Sequence, residues 1–170
     1  MIILICGATH TGKTILAQRL MEQYKIPYYS IDHLKMGLIR SGQTTLTASD
    51  DTELVPYLWS IVKEIIKTAI ENKQNLIVEG CYIPFDWQKD FNGEYLKEIK
   101  YHCLIMTENY IENKFADVLK FENAIERRLF NGALSKRKLI DENNRNLQLC
   151  KKYGLNYILI DKNYDVKATI

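Results

Sequence analysis

Gly7-Ala8-Thr9-His10-Thr11-Gly12-Lys13-Thr14 satisfies the pattern G-x-x-x-x-G-K-[ST] in full. A match of this kind gains its meaning from context. Before it runs Met1-Ile2-Ile3-Leu4-Ile5-Cys6, an apolar stretch that reads as a buried strand, and after it a helix is predicted. In that setting glycines let the backbone wrap a chain of phosphates. Successive N–H groups and the helix N-terminus then form a nest for the anion. Lys13 supplies positive charge for the outer phosphates, and the Thr14 hydroxyl is suited to ligate Mg²⁺. Thr9, His10 and Thr11 fill the variable positions and are expected to contribute backbone contacts. An accidental glycine turn would not bring the strand, the helix start and the Lys-Thr pair together. Gly7 lacks the G-x-G-x-x-G spacing of dinucleotide folds. The ligand expected on this loop is the triphosphate of ATP with Mg²⁺.

Outward from the loop, the chain supports one compact domain. It has 170 residues, 46% hydrophobic and 26% charged, so a sizeable core can form under a solvated surface. A formal net charge of +2 gives no argument for a nucleic-acid or membrane partner. No apolar run approaches the roughly 18 residues of a spanning helix. The apolar start has neither a basic lead nor a small-residue cleavage site, so it is not expected to be a signal. Cys6, Cys81, Cys103 and Cys150 are scattered without metal-ligand spacing. They read mainly as reduced core thiols of a cytoplasmic protein.

Strand-like runs at Ile2–Cys6, Tyr28–Ile31, Leu76–Glu79, Tyr101–Met106 and Tyr157–Ile160 alternate with stretches of helical spacing. The clearest helix places Leu54, Leu58, Ile61, Ile65 and Ala69 on one face, with Asp50 and Glu53 as an approximate capping box. Strands apolar on nearly every residue suit a parallel sheet covered on both faces, which predicts a three-layer α/β domain. Ligands in such domains collect beyond the carboxyl ends of the strands. That rule singles out Asp32, Glu79, Gly80, Thr107, Glu108 and Asp161 beside the loop.

Other loop-bearing classes fit poorly. A guanine-reading N-K-x-D is missing, and Asp90-Phe91-Asn92-Gly93 imitates a switch motif without following a strand. The third strand ends in the single carboxylate of Glu79 rather than an Asp-Glu pair. Together the loop, Tyr29-Ser30-Ile31-Asp32 with Leu38-Ile39-Arg40, Ile77-Val78-Glu79-Gly80 and a late basic segment resemble the nucleoside monophosphate kinase-like group of small P-loop kinases. The run from Asp32 to Arg40 looks like the acceptor-side helix of adenylate kinases. The Glu-Gly strand end with Pro84 after it looks more like 2-phosphoglycerate kinases and uridine kinases. Thr9 to Thr11 depart from adenylate kinases, which usually carry proline and a second glycine there. The resemblance implies a five-stranded parallel sheet of order 2-3-1-4-5 in one domain over 1–170. It also implies an acceptor-side segment over about 32–60 and a small helical lid over about 124–140.

Each remaining residue has two readings. Asp32 either accepts the acceptor's proton or helps hold Mg²⁺, or else it is an N-cap for a helix starting at His33. Glu79 meets metal-bound water or substrate, or it closes a structural salt bridge. Arg40 holds an anion of the acceptor, or it is a solvated helix end. Arg127, Arg128, Lys136, Arg137 and Lys138 form either a lid over ATP or a solvated face balanced by Asp141 and Glu142. Arg128 and Arg137 are the expected catalytic lid residues, with Arg145 in reserve. Trp59, Trp87 and His102 read as packing. The resemblance thus implies transfer of the ATP γ-phosphoryl group to a small acceptor, either a nucleoside monophosphate or a metabolite such as 2-phosphoglycerate. The rival from another class is a protein that binds ATP without phosphotransfer. A monomer or homodimer is expected.

Overall fold

In the computed structural model, which describes residues 1–120 and 135–166, β1 (Ile2–Gly7) is buried along its whole length. Six consecutive buried residues require cover on both faces, and the sheet supplies it. The elements after β1 are α1 (Lys13–Tyr24), β2 (Tyr28–Ser30), α2 (Ile31–Arg40), α3 (Asp51–Glu71) and β3 (Leu76–Glu79). A 3₁₀ turn at Trp87–Asp90 leads to α4 (Gly93–Lys97), β4 (Ile99–Met106), α5 (Glu108–Lys120), α6 (Lys136–Tyr153) and β5 (Tyr157–Ile160). The sheet has the order β2-β3-β1-β4-β5, and every pairing is parallel. This is the expected α/β P-loop architecture.

The side chains of β1 divide alternately between two cores, as the pleat dictates. Ile2, Leu4 and Cys6 join Leu54, Leu58, Trp59, Val62 and Ile66 of α3 on one face. On the other, Ile3 and Ile5 meet Leu16, Ala17 and Leu20 of α1. The eighteen-residue α6 serves both, with Cys150 in the first core and Leu139 and Ile140 in the second. Each fully buried Ile or Leu contributes about 1.5–3 kcal/mol relative to exposure. The doubly covered central strand is therefore the stiffest support available for the loop that follows it.

Several local expectations are corrected. On α3 the expected Leu54, Leu58 and Ala69 are buried, but Ile61 and Ile65 of the same stripe are half-buried, and Trp59, Val62 and Ile66 beside them are buried instead. Asp50 occupies the N-cap position of α3 without capping it. Its carboxylate instead accepts from Thr47 N at 2.6 Å and Thr47 Oγ1 at 2.9 Å, closing the preceding turn. Asp90 is structural, accepting from Trp59 Nε1 at 2.9 Å and pairing with Lys63 at 3.0 Å. Residues 136–140 begin α6, with Leu139 and Ile140 buried, and the rest of the expected lid up to residue 134 lies outside the described residues. Arg127 and Arg128 lie outside the described residues. Cys6, Cys103 and Cys150 are buried, and Cys81 is exposed. Among the described residues no helix is long and apolar enough to cross a membrane.

Candidate functional site

The 7–14 loop leaves β1 at the carboxyl edge of the sheet and enters α1 at Lys13. Its geometry needs both glycines. Gly7 has φ 145° and Gly12 φ 83°, regions that L side chains avoid. A Cβ on Gly7 would stand 2.6 Å from Leu104 O, and one on Gly12 would collide with the Tyr164 hydroxyl. His10 also adopts φ 63°, and its Nδ1 lies 2.9 Å from Thr9 Oγ1. The loop is braced from within and without. Thr11 Oγ1 donates to Ala8 O at 2.8 Å, and Tyr164 Oη reaches both Thr11 O and Gly12 O at 3.2 Å.

Lys13 is almost fully buried and donates to Ala8 O at 2.8 Å. Burial opposes its charge, but Cys81, Glu79 and Asp32 outweigh that and hold its ionisation above the ordinary lysine value. A buried ammonium kept charged at the mouth of a helix N-terminus is a receptor for phosphate.

Sheet register delivers the carboxylates. Glu79 pairs with Ile5 on one side and Ser30 on the other, two residues before Gly7 and Asp32 respectively. Glu79 is 1% exposed. Gly80 follows because Ile31 crosses so closely that a Cβ would lie 2.9 Å from it. Asp32 is not the cap of α2: the helix begins at Ile31 with Ser30 at the N-cap position, and Asp32 sits inside the first turn. It lies in the electrostatic field of Lys13, as Glu79 does. The Thr14 hydroxyl on the first turn of α1 and these two carboxylates are hard oxygen donors. Mg²⁺ takes one or two carboxylates and fills its other positions with phosphate and water, so the donors fit it.

The expected cations on this side are rearranged. Arg40 is exposed at the far end of α2, about 12 Å along the helix axis from Asp32 at 1.5 Å per residue. The cation that meets Asp32 is Lys35, at 2.6 Å. Lys35 Nζ also donates to Tyr82 Oη at 2.9 Å, and Tyr82 Oη donates to Asp51 Oδ1 at 3.2 Å. Burial works against the Lys35 charge, and Asp32 and Tyr82 together push its ionisation above the usual range. Burial also drives the Tyr82 phenol up to about 12, so it stays protonated and can bridge the two.

Arg137 lies on an exposed face of α6, paired with Asp141 at 3.2 Å, and Lys138 pairs loosely with Glu142 at 3.9 Å. Among the described residues nothing brings Arg137 against the loop. What α6 does bring there is Asn146, whose amide, turned to satisfy both partners, accepts from Ala8 N at 3.2 Å. Glu142 comes as well. Burial raises its carboxyl ionisation, and the charges of both Asp51 and Lys13 act on it.

Sequence reading placed the loop, Asp32 and Glu79 at this edge of the sheet; it did not single out Lys35, Tyr82, Asp51 or Tyr164, and it named Glu142 only as a counter-charge. Only Lys35 had a local signal, its helical i,i+3 spacing from Asp32.

The chain matches no known family and no curated protein. Solved structures do share its fold. One, provisionally described as a kinase of Chloroflexus aurantiacus J-10-fl, is 15% identical, with 98% of this chain and 91% of that chain covered and a TM-score of 0.58. An uncharacterised protein from Eubacterium ventriosum ATCC 27560 is 14% identical over 96% of this chain and 90% of its own, with a TM-score of 0.50. Shikimate kinase from Bacteroides thetaiotaomicron is 14% identical over 95% and 85%, also with a TM-score of 0.50. At these identities the likeness is one of fold.

Proposed function

We propose that this chain is a small-molecule kinase that moves the γ-phosphoryl group of Mg-ATP to a small acceptor. One observation carries the reading. The buried, charged Lys13 stands behind a glycine loop, with the strand-end carboxylates Glu79 and Asp32 in its field. That is the equipment of phosphoryl transfer, in which the protein's work is positioning and charge stabilisation. Two of the fold neighbours are named as kinases, which supports the same class.

In this reading Lys13 leaves Ala8 O for the β- and γ-phosphates, and the loop amides hold their oxygens. Thr14, Asp32 and Glu79 would hold Mg²⁺, which when bound neutralises charge on the phosphate chain. The acceptor oxygen bonds to the γ-phosphorus while the bond from that phosphorus to the β–γ bridging oxygen breaks. ADP keeps the bridging oxygen with its electron pair. A hydroxyl acceptor passes its proton to the Asp32 carboxylate, which Lys35 fixes in place. A phosphate acceptor attacks through an ionised oxygen that needs no base, and Asp32 then serves the metal. A lid arginine, Arg128 by the sequence resemblance, would complete the charge stabilisation.

The resemblance of the 32–40 segment to adenylate kinases points to a nucleoside monophosphate acceptor. The alternative, a hydroxylated metabolite, draws support from the position of Lys35, which engages Asp32 instead of standing ready for a phosphate. Release of ADP from Mg-ATP, followed with and without candidate acceptors, tests the proposal. Acceptor-dependent ADP release, abolished in Lys13→Ala, is the expected result. Saturable Mg-ATP binding with no acceptor raising turnover above slow hydrolysis would instead make the protein an ATP-binding module.

A further inference from the structure

Among the described residues, three that are not glycine hold φ in the left-handed region: His10 at 63°, Lys25 at 58° and Lys73 at 55°. A side chain crowds the backbone there, so each position calls for a reason. Two of them end helices. Lys25 closes α1, its N–H donating to Met21 O at 2.8 Å, and Lys73 follows the last turn of α3, its N–H donating to Ile70 O at 2.9 Å. A left-handed residue is an ordinary way to finish a helix. His10 finishes none. It stands between β1 and α1, inside the phosphate loop. The other positive-φ positions of that loop, Gly7 and Gly12, are glycine. If the turn alone mattered, glycine would serve at position 10 as well.

The ring is held in place. Its Nδ1 lies 2.9 Å from Thr9 Oγ1, and the residue is half-buried. Its place along the loop is also specific. The amides at the N-terminus of α1, from Lys13 onward, suit the inner phosphates, while the Lys13 ammonium suits the outer ones. Lys13 Nζ sits 2.8 Å from Ala8 O, which puts the outer end of the phosphate chain on the Ala8 side of the loop. His10 is two residues from Ala8 and precedes the helix amides. An imidazole donates an N–H in either protonation state, and a hydrogen bond to an ionised phosphate is stronger than one between neutral groups.

From this geometry we infer that His10 binds the γ-phosphoryl group of the nucleotide through its imidazole. The inference rests on the reading of the loop as a triphosphate site and adds a side chain to its backbone contacts. No acceptor enters it.

The test is calorimetric titration of the protein with Mg-ADP and with the Mg complex of β,γ-imido ATP, which carries a γ-phosphate and resists transfer. His10→Gly accepts the same φ and removes only the ring, leaving the loop amides and Lys13 in place. Its affinity for the imido analogue should fall about tenfold or more, while that for ADP stays within about twofold. Relief of the left-handed strain and a looser unfolded chain oppose each other, so the melting temperature should move by no more than about 3 °C. His10→Asn, which tolerates this φ and keeps an amide donor, should lose less of the analogue's affinity and again spare ADP. That variant carries the comparison if His10→Gly does not fold. Lys25→Gly and Lys73→Gly make the same backbone change at the helix ends and should leave both affinities unchanged. Equal losses for the two nucleotides would put the effect in the shape of the loop and overturn the inference, as would no loss for either. Wild-type protein that binds neither nucleotide would sink the triphosphate reading and the inference with it. Failure of every acceptor to raise ADP release would overturn the transfer step alone and leave this binding result standing.

Discussion

The phosphate loop and the wall of Asp32, Lys35, Tyr82 and Asp51 beside it share one edge of one sheet, yet they are assembled in opposite ways. The loop is eight consecutive residues, and most of its work belongs to backbone groups whose directions are set by two glycines of positive φ. The wall is made of side chains. Lys35 meets Asp32 three residues away, then Tyr82 across 47 positions, and Tyr82 meets Asp51 across 31. The first kind of site is written locally and tolerates few replacements. The second exists only once α2, α3 and the segment after β3 have docked, and it can be rewritten for a new acceptor while the loop stays unchanged.

Substitutions on the two sides should therefore fail differently. Lys13→Ala is expected to have the largest effect, lowering kcat/KM on the order of a thousandfold through loss of charge at the phosphates. Steady-state kinetics with a circular dichroism control would check it, and near-normal turnover would break the division drawn here. Asp32→Asn keeps the size and removes the charge, and a fall of about a hundredfold in kcat is expected. Because Asp32 holds Lys35, the acceptor KM should shift as well, whereas in Lys13→Ala the loss should fall on the ATP side.

Three changes probe stability. Gly12→Ala imposes a side chain at φ 83° against the Tyr164 hydroxyl, so thermal melts should show a loss of about 1–3 kcal/mol. Tyr164→Phe removes the closest clash, leaving the ring carbon 2.6 Å from the added Cβ, and gives up two bonds to the loop, at a cost of about 1 kcal/mol by itself. Combining the two should be less than additive. Glu142→Gln is the smallest. Burial raises the Glu142 carboxyl ionisation in the fold, so between its unfolded value and that raised value the native state binds more protons. Stability then falls as pH rises through this window. The neutral glutamine should raise the melting temperature by about 1–2 °C at pH 7. The gain should fade below roughly pH 4.5, where the unfolded carboxyl is protonated too.

The same contrast explains what the sequence made legible. β3 and β5 have the expected bounds, because continuous apolar runs between turn residues leave little freedom. Glu79 was visible as the lone charge closing such a run. Asp32 was visible from its place after a strand, and the cap reading beside it fails because the helix starts one residue before it. Arg40 was chosen over Lys35 because family likeness directed attention to the end of the helix rather than to its i,i+3 neighbour. Tyr82, Asp51 and Tyr164 had no local signature at all. Their partners are set by sheet order and helix docking. In α3 the apolar residues run nearly all round, so periodicity could not choose between Ile61 and Trp59 for the buried face.

The Tyr164 contact has a temporal consequence. A chain growing from its amino end finishes the glycine loop almost at once, but the phenol that clasps Gly12 arrives 152 positions later. Until then the newborn segment carries every residue of the motif without the external clamp on its carbonyls. Translation products that stop short of residue 164 should therefore hold nucleotide less firmly than the finished chain, with their motif intact.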